Sequence, residues 1–443
     1  MSSIRNDVNV LIPFSDVDKR QEQALRQCPT VQVPEVIFSN IEKKETLMEY
    51  VQRAKKLVAY HNVDVILPIN DVGTFVHAAI ARDTPHIRGP TVESCFLAFH
   101  KAYTRRYLDP AGDLTPYGVV DLDSATMLED AARALEKVGF PAFVKPAAAM
   151  SAFGVAKVQN YEDMKRALQN LQTMREEQPN FKSSPSAAFF KDYFQQYLDV
   201  RKYPLALRDV VIVEPYLDAV AHYTVDGCVV DKEIVRWVIT DSLRNEHQDA
   251  RFLSSITTSE PEDSQRQLWD VYDGVMTRMV EFGFNNCFTQ LEVFKMKDGQ
   301  LRLCEVNARG SKQQQGIYAV SHKNANQDYV YLTAGRGIKY ATPLETGRWA
   351  CAYTLRFNKL ERPGNLVDFD QIEKLESDPD VDVFLAAGPD DDVTSFAGSA
   401  GSYFCWMFAY GNSREATVRK VVDVLKCVAK KPKRLIYPVH YGM

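Results

Sequence analysis

Residues 287–309 read CFTQLEVFKMKDGQLRLCEVNAR, two runs of alternating residues on either side of Asp298-Gly299. Asp-Gly is a dipeptide favoured in two-residue turns between antiparallel strands. With that turn, Lys297 pairs with Gln300 and the pairing continues outward residue by residue. The stretch therefore predicts a β-hairpin whose register is set by its turn.

The predicted register places acidic side chains opposite each other. Glu292 faces Glu305, and Gln290 lies opposite Asn307 on the same side, whereas the other side carries Leu291, Val293, Cys304 and Val306. Carboxylates whose Cβ atoms are about 5 Å apart repel each other unless a cation lies between them. Carboxylate and amide oxygens suit Mg²⁺ or Mn²⁺, and nucleotide phosphates commonly complete the Mg²⁺ shell. The hairpin thus predicts a metal site that implies ATP.

Arg309 follows Asn307 by two residues and falls on the same side if the strand continues. A guanidinium there neutralises a phosphoryl group in transfer or an acyl phosphate. The alternative is an ordinary solvated hairpin face whose two glutamates lie opposite by chance. The hairpin alone does not decide between the two interpretations.

The composition is that of a globular protein. The chain has 443 residues, 45% of them hydrophobic and 25% charged, which predicts roughly two to four packed subdomains. Its formal net charge is −5 with lysines and arginines spread along the chain, so a small-molecule substrate is favoured over nucleic acid. No leader pattern and no run of about 18 apolar residues is visible, which predicts a cytoplasmic protein with no membrane partner. The eight cysteines form no C-x-x-C pair, and we expect buried free thiols.

Strand-like runs alternate with helical patterns over the first part of the chain, which predicts a small parallel α/β domain. The helical patterns cover residues 41–61 and 72–82. A further helix is predicted from Pro90 to about Leu108, and it includes Lys101.

A second unit is predicted from two helices and short strands. Its first helix has Ser124 as N-cap and ends at Gly139. Lys145 lies on the strand that follows, and the second helix starts at Asn160. Residues 175–207 are polar and interrupt this pattern, so we interpret them as an insertion or mobile loop.

These patterns predict an α/β protein with α+β subdomains. Residues 1–118 form an N-terminal α/β domain, and residues 119–213 form the second unit with its insertion. Residues 214–443 form a strand-rich domain with a C-terminal extension from about residue 340.

The order of these features resembles the ATP-grasp superfamily. There an acidic residue precedes a Glu-x-Asn-x-Arg motif, as Glu292 does here, and a strand lysine precedes a small-residue loop, as Lys145 does. The segment VIVEPYL, residues 211–217, stands where such enzymes contact adenine. The resemblance spans nearly all of the chain and is strongest to the L-amino acid ligases and carnosine-synthase-like enzymes.

The resemblance implies a fold, cofactors and site residues. The fold is the ATP-grasp fold, with residues 119–213 as lid subdomain and residues 214–443 as catalytic subdomain, and the cofactors are ATP and Mg²⁺ or Mn²⁺. Arg309 would stabilise the acyl phosphate. The residues implied for the nucleotide are Lys101, Lys145, Ser151, Gly154, Glu214, Tyr216, Leu217 and His222. The residues implied for the metal are Glu292, Glu305 and Asn307.

The sequence departs from the superfamily pattern at three places. Its lid loop AAAMSAFG, residues 147–154, has a single glycine. The position of the usual ribose-binding acid falls at Ala221 or His222. After the metal motif, GSKQQQGIYAVSHK replaces a Pro- and Gly-rich run that often shapes the acceptor site, so the resemblance does not identify the substrates.

Some site residues have ordinary structural alternatives. For Lys145 the alternative is a strand lysine whose amine reaches solvent. For Lys101 it is a solvated basic face shared with Arg105 and Arg106. A single histidine such as His222 is more often structural than catalytic.

The predicted function is an ATP-dependent carboxylate–amine ligase that forms an amide or peptide bond through an acyl phosphate. Its partners are a small-molecule carboxylate and amine, and the subunit number stays open, with a homodimer as one arrangement. The alternatives are an ATP-grasp carboxylase or phosphotransferase and a non-catalytic ATP-binding regulatory module. A serine hydrolase or dinucleotide-binding enzyme is not favoured, because G-x-S-x-G is absent and no G-x-G-x-x-G follows the first strand.

Overall fold

The structure is a computed structural model that places its strands in three sheets. The residues it describes are 7–26, 31–42, 45–111, 115–149, 154–177, 187–244, 252–310, 317, 320, 330, 347–357 and 361–434, the last range without 376, 386, 392, 394–396 and 399–400. Within these ranges, no helix is both long and apolar enough to cross a membrane.

The N-terminal part is built on a three-stranded parallel sheet, as its alternating patterns predict. Its strands are β1 (Val10–Pro13), β2 (Val36–Ser39) and β3 (Val65–Ile66). They lie in the order β2-β1-β3, and the helices beside them are α1 (Lys19–Arg26), α2 (Leu47–Tyr60) and α3 (Asp71–Asp83). The predicted start of α2 at Ile41 is wrong, because Thr46 and Glu49 form a capping box that begins the helix at Leu47.

The long helix predicted through Lys101 is three helical pieces. They are α4 (Val92–Phe99), α5 (Lys101–Tyr103) and a π-helix (Thr104–Leu108). His100 has φ −87° and ψ 97°, an extended conformation that ends α4. In the π-helix the Asp109 amide donates to the Thr104 carbonyl over 2.9 Å. The prediction of one continuous helix is therefore wrong.

The second unit is a four-stranded antiparallel sheet with two helices, which we call the lid sheet. Its strands are β4 (Gly118–Asp121), β5 (Ala142–Pro146), β6 (Ala156–Val158) and β7 (Val210–Pro215), and its helices are α6 (Met127–Val138) and α7 (Tyr161–Glu177). The strand order is β4-β7-β5-β6. Gly139 ends α6 with φ +78°, as predicted. The N-cap of α6 is Thr126 and not Ser124, whose hydroxyl instead contacts Thr126.

Most of residues 187–207 are helical, so the interpretation of residues 175–207 as a mobile loop is wrong for this part, whereas the alternative of an insertion stays a prediction. They contain α8 (Ala187–Tyr197) and a 3₁₀ turn (Pro204–Leu207), whereas residues 178–186 lie outside the described part. The buried face of α8 is aromatic and consists of Phe190, Tyr193, Phe194 and Tyr197. Their spacing of i, i+3, i+4 and i+7 is typical of an amphipathic helix and is visible in the sequence.

The strand-rich part forms one nine-stranded sheet. Its strands are β8 (Ala219–Val230), β9 (Glu233–Arg244), β10 (Phe252–Thr257), β11 (Cys287–Met296), β12 (Leu301–Asn307), β13 (Trp349–Phe357), β14 (Val381–Leu385), β15 (Ala397–Gly398) and β16 (Gly401–Gly411). They lie in the order β12-β11-β8-β9-β10-β13-β16-β14, and β15 pairs with β16. The helices of this part are α9 (Glu262–Glu281), α10 (Pro363–Leu366), α11 (Phe369–Leu375) and α12 (Arg414–Val428). Because β10 pairs with β13, the C-terminal strands continue the sheet that carries the hairpin.

The apolar side of the hairpin belongs to the same core as the N-terminal helices. Its buried members are Leu291, Val293, Leu303 and Val306. They share one cluster with Phe75 of α3 and Phe96 of α4. The opposite side of the hairpin is left for polar residues.

Most cysteines are buried free thiols, as expected. These are Cys95, Cys228, Cys287, Cys351 and Cys405. Cys304 is half-buried and Cys427 is exposed, so the expectation is wrong for Cys427. Cys28 lies outside the described residues.

Candidate active site

The open end of the hairpin has the predicted register. Glu292 of β11 pairs with Glu305 of β12, and Gln290 pairs with Asn307. Directly paired residues of a sheet project to the same side. The four polar side chains therefore share one face, as the alternation predicts.

The turn of the hairpin differs from the prediction. The Met296 amide donates to the Gln300 carbonyl over 2.9 Å, which encloses a three-residue loop of residues 297–299. Gly299 has φ +81°, the left-handed conformation that such loops place at their last position. The predicted two-residue turn is therefore wrong.

A β-bulge at Cys304 restores the predicted register beyond the turn. Val293 pairs with Leu303 and Glu292 with Glu305, so Cys304 is the extra residue between them. Burial is the main reason that the pKa of the Cys304 thiol is raised to about 11, since the positive charge of Lys145 opposes the rise and the charges of Glu292 and Glu305 add to it. The apolar cluster beneath the hairpin contains Leu303 and not Cys304, so the expectation that Cys304 shares the apolar face is wrong.

Glu305 is paired with a buried lysine. Nζ of Lys101 lies 2.8 Å from Oε1 of Glu305 and donates to the Ala149 carbonyl over 2.8 Å. Lys101 is only 7% exposed, so its interpretation as part of a solvated basic face is wrong. This amine joins the loop after β5 to the hairpin.

Glu292 lies beside His222 of β8. Nε2 of His222 is 3.2 Å from Oε2 of Glu292, and the ring centroids of His222 and Phe294 are 4.8 Å apart. Both glutamates thus have a nitrogen-bearing side chain within reach. The resemblance implied a nucleotide contact for His222, and its ring lies next to a residue implied for the metal.

Gln290 and Asn307 extend the polar face into the buried part of the sheet. Gln290 is 6% exposed and its amide donates to Oδ1 of Asp226 over 3.2 Å. Asp226 lies opposite Gln290 on β8 and is 1% exposed. The face therefore carries a third carboxylate beyond the paired glutamates.

Arg309 lies beyond the end of β12 but stays on this face. Its Nη2 donates to Oδ1 of Asn307 over 3.2 Å, and its Nη1 donates to Oε1 of Gln290 over 3.4 Å. Nε of Arg309 lies 3.5 Å from Oδ1 of Asp71, the first residue of α3. The N-terminal part thus borders the polar face.

Lys145, Glu214 and Arg105 form a buried charged cluster. Nζ of Lys145 lies 2.5 Å from Oε2 of Glu214, and Nε of Arg105 lies 2.5 Å from Oε1. Burial raises the pKa of Glu214, but the two cations outweigh it and lower the pKa to about 2. Lys145 is 6% exposed, so its interpretation as a lysine that reaches solvent is wrong.

The two residues that follow the end of β7, Tyr216 and Leu217, are partly exposed. The Tyr216 amide donates to the Pro141 carbonyl over 2.9 Å, and Nζ of Lys157 lies 3.6 Å from the Tyr216 ring centroid. Tyr216 and Leu217 are half-buried. Both side chains therefore keep part of their surface exposed close in sequence to Glu214 of the charged cluster.

The loop between β5 and β6 ends at Gly154, which has φ +65°. A Cβ at this position would come within 2.3 Å of Cδ2 of Leu171. The positive φ therefore favours glycine here, and a larger residue would also have to displace the Leu171 side chain. Ser151 lies outside the described residues, together with the rest of residues 150–153.

The residues of the polar face fit Mg²⁺. Neighbouring positions supply hard oxygen donors from Glu292, Glu305 and Asn307. The carboxylate of Glu305 also lies within 2.8 Å of the positive charge of Lys101. In the described part of the chain, no group of three His, Cys, Asp or Glu side chains is placed to hold a metal ion. Two carboxylates and an amide leave positions for phosphate oxygens, which is the arrangement that Mg²⁺ favours.

Three further residues contact the site without being predicted from the sequence, namely Arg105, Asp226 and Asp71. Arg105 stood in a basic run and gave no sign of burial. Asp226 was visible as an acidic residue at an alternating position of a strand-like run, which is a usable signal. Asp71 begins a helix, where acidic residues are common for capping reasons alone.

Similarity in sequence to known proteins covers only part of this chain. The family model described as D-ala D-ala ligase C-terminus matches residues 113–177, which include Lys145. The D-alanine–D-alanine ligase of Thermoanaerobacter sp. (strain X514) is 33% identical over 115 residues. This match covers 25% of this chain and spans 32% of the relative's length.

Solved structures are similar over nearly the whole chain. The L-amino acid ligase from Bacillus licheniformis has a TM-score of 0.69 at 13% identity and covers 97% of this chain and 98% of its own. The chain has the ATP-grasp fold. The biotin carboxylase domain of Hydrogenobacter thermophilus 2-oxoglutarate carboxylase, solved with MgADP, ADP and bicarbonate, has a TM-score of 0.67 at 14% identity and covers 95% of this chain and 90% of its own. The predicted ATP-grasp fold is confirmed.

Proposed function

We propose that this ATP-grasp protein is an ATP-dependent carboxylate–amine ligase. It forms an amide or peptide bond between small amino-acid-like molecules and releases ADP and phosphate. The proposal rests on the pairing of Glu292 with Glu305 on the polar face of the hairpin. Lys101 at Glu305 and Arg309 at Asn307 add the cationic groups that phosphoryl transfer needs.

In this proposal ATP lies between the lid sheet and the nine-stranded sheet. Its adenine lies against residues 214–217, and its phosphates meet Lys101, Lys145 and the backbone near Gly154. The proposed ligands of Mg²⁺ are Glu292, Glu305 and Asn307. When bound, Mg²⁺ screens the phosphate charge. The MgADP in the Hydrogenobacter thermophilus domain, which has the same fold, supports these cofactors.

The first step is phosphoryl transfer to the substrate carboxylate. A carboxylate oxygen attacks the γ-phosphorus in line, its bond to phosphorus forms, and the bond to the ADP oxygen breaks. Arg309 is held by Asn307 and Gln290, so its guanidinium is fixed beside the transferring group and neutralises its charge. The products of this step are an acyl phosphate and ADP.

The second step joins the two substrates. The amine nitrogen attacks the acyl carbon, the carbon–nitrogen bond forms, phosphate leaves with the electron pair of its carbon–oxygen bond, and the nitrogen passes a proton to the departing phosphate. Acyl phosphates hydrolyse, so the site excludes solvent during this step. We assign this closure to the lid sheet, which contacts Lys101 through Ala149 just after β5.

Glu305→Gln tests the proposal. The amide keeps the size of the side chain but removes a charge, and we expect substrate-dependent ADP release to fall by about 10²–10³-fold or more while the circular dichroism spectrum is unchanged. Glu233→Gln, at the exposed start of β9, is the matched control and should retain full activity. The substrates are to be identified by a phosphate-release screen over pairs of amino acids, with mass spectrometry of the products. Full turnover of Glu305→Gln would remove the hairpin from the mechanism.

A second candidate is an ATP-grasp carboxylase. It is favoured by one observation, the similarity to a biotin carboxylase domain that was solved with bicarbonate. The product distinguishes the two activities, since a carboxylase incorporates labelled bicarbonate and a ligase forms an amide without it. Bicarbonate-dependent ADP release with no amide product would replace the ligase proposal.

A further inference from the structure

Arg105 lies where three parts of the molecule meet. It is the second residue of the π-helix Thr104–Leu108 and is 4% exposed, whereas its neighbour Arg106 is exposed. π-helical turns are rare and occur frequently at functional sites. A buried arginine needs hydrogen-bond acceptors or carboxylates around it, and those of Arg105 lie near the candidate site.

One guanidinium contacts two different sheets. Nε of Arg105 lies 2.5 Å from Oε1 of Glu214 on β7 of the lid sheet, and Nη2 donates over 2.8 Å to the Cys304 carbonyl on β12 of the nine-stranded sheet. Nη1 is 4.0 Å from Oδ2 of Asp109. Burial lowers the pKa of Arg105, but the carboxylates of Glu214 and Asp109 outweigh this effect, so the group stays charged.

The carbonyl that accepts from Arg105 belongs to Cys304, the extra residue of the β-bulge. A bulge residue is left out of the regular ladder, so its backbone groups require other partners. Glu305 follows Cys304 directly and is the residue that the bulge sets opposite Glu292. The Arg105 contact therefore fixes the backbone immediately before a proposed metal ligand.

We propose that Arg105 is a positioning residue that couples β7, the nucleotide strand with Glu214, to β12, the metal strand with Glu305. The inference rests on the proposed function for the roles of Glu214 and Glu305. The planar fork of arginine donates to the carboxylate and to the carbonyl at fixed angles at the same time. A lysine at this position offers one compact ammonium, which pairs with Glu214 and leaves the Cys304 carbonyl without its donor.

Arg105→Lys separates the two contacts, and Arg106→Lys is the matched control in the same turn. ADP affinity is measured by calorimetry in EDTA, and Mn²⁺ affinity at saturating ADP is measured from the electron paramagnetic resonance of free Mn²⁺. In Arg105→Lys we expect ADP affinity within about threefold of the parent and Mn²⁺ affinity about 10- to 100-fold weaker, the range for one lost hydrogen bond to a charged group. In the control we expect both affinities within about twofold, as for a surface substitution.

Equal losses of both affinities, or no loss of Mn²⁺ affinity, would overturn the inference. If Arg105→Lys does not fold, Glu214→Gln gives a second test, because it weakens the hold on Arg105 from the nucleotide strand. Mn²⁺ affinity at saturating ADP should then fall although the substitution is on β7, and an unchanged value also overturns the coupling. Neither measurement uses bond formation, so a failed search for amide products leaves this result standing and counts only against the ligase proposal.

Discussion

Two parts of the molecule supply opposite charges to the same site. One is the hairpin of β11 and β12, and the other is the helical layer of α4, α5, the π-helix and α8. The carboxylates of the hairpin are partly open, with the side chains of Glu292 and Glu305 24% and 28% exposed. The cations of the helical layer are enclosed, with the side chains of Lys101 and Arg105 9% and 3% exposed. The site therefore combines an open acidic half with a closed basic half.

The two halves are held in place by different interactions. β11 pairs with β8 on one side and with β12 on the other, so the backbone ladder fixes the acids. The cations depend on packing, since Lys101 follows the helix break at His100, whose ring lies 5.3 Å from Phe96 and 4.8 Å from Tyr103 between centroids. We expect substitutions in the helical layer to be more damaging to stability than substitutions in the hairpin turn.

The largest effect is expected for Phe194→Ala in α8. The Phe194 ring lies 5.0 Å from Phe190, 5.1 Å from Phe96 and 5.5 Å from Phe75 between centroids, and a cavity here should cost about 3–5 kcal/mol. Hydrogen exchange resolved by mass spectrometry should show the largest loss of protection in α4 and α8 and a smaller one in β11, whose Leu291 and Val293 belong to the same core cluster. Gln195→Ala, on the exposed side of the same helix, is the control. An equal loss of protection in β11 would show that the two halves are one cooperative unit.

An intermediate effect is expected for Lys101→Met. The substitution keeps the length of the side chain but removes the ammonium that contacts Glu305 and Ala149. We expect kcat/KM for ATP to fall about 100-fold, or about 2.7 kcal/mol, as for loss of one preorganised donor. Lys297→Met in the exposed hairpin loop should leave kcat/KM unchanged. A value for Lys101→Met equal to that control would mean that this cation has no part in the reaction.

The smallest effect is expected for Gly299→Ala in the hairpin loop. With φ +81° and no atom within 4 Å of an added Cβ, the substitution strains the backbone without a clash and should cost about 1 kcal/mol of local stability. Steady-state ADP release should not change, because the register at Glu292 is held by β8 as well as by the turn. Gln300→Ala is the control. A large loss of activity in Gly299→Ala would mean that the turn, and not the ladder, places the acids.

The difference between these regions also explains what the sequence could predict. Alternation along a strand is a local property, and it was enough to place Gln290 and Glu292 on one face of β11 and Glu305 and Asn307 on one face of β12. The predicted turn was one residue too short, and the bulge at Cys304 compensates for that shift in register before Glu292 and Glu305. Nothing in the local pattern marks a bulge at a cysteine, so the correct result at the open end depended on a feature that the sequence did not reveal.

Helical periodicity was less informative at the basic half. It extended one helix through Lys101, but the structure breaks the helix at His100 and widens the next turn to a π-helix. Tertiary contacts with Glu214 and Cys304 decide where Arg105 points, and these residues are distant in the sequence. Their contacts are therefore invisible to any pattern read over a window of one helix.

The pairing of β10 with β13 bears on how the chain can be divided. A protein that ended before Trp349 would lose the strand that covers Ser254, Ser255 and Ile256. Their unpaired backbone groups would then form an open edge, the kind of surface along which strands of separate molecules associate. The C-terminal strands are thus a protective border for the sheet that carries the metal ligands, and a shortened chain exposes that sheet to self-association.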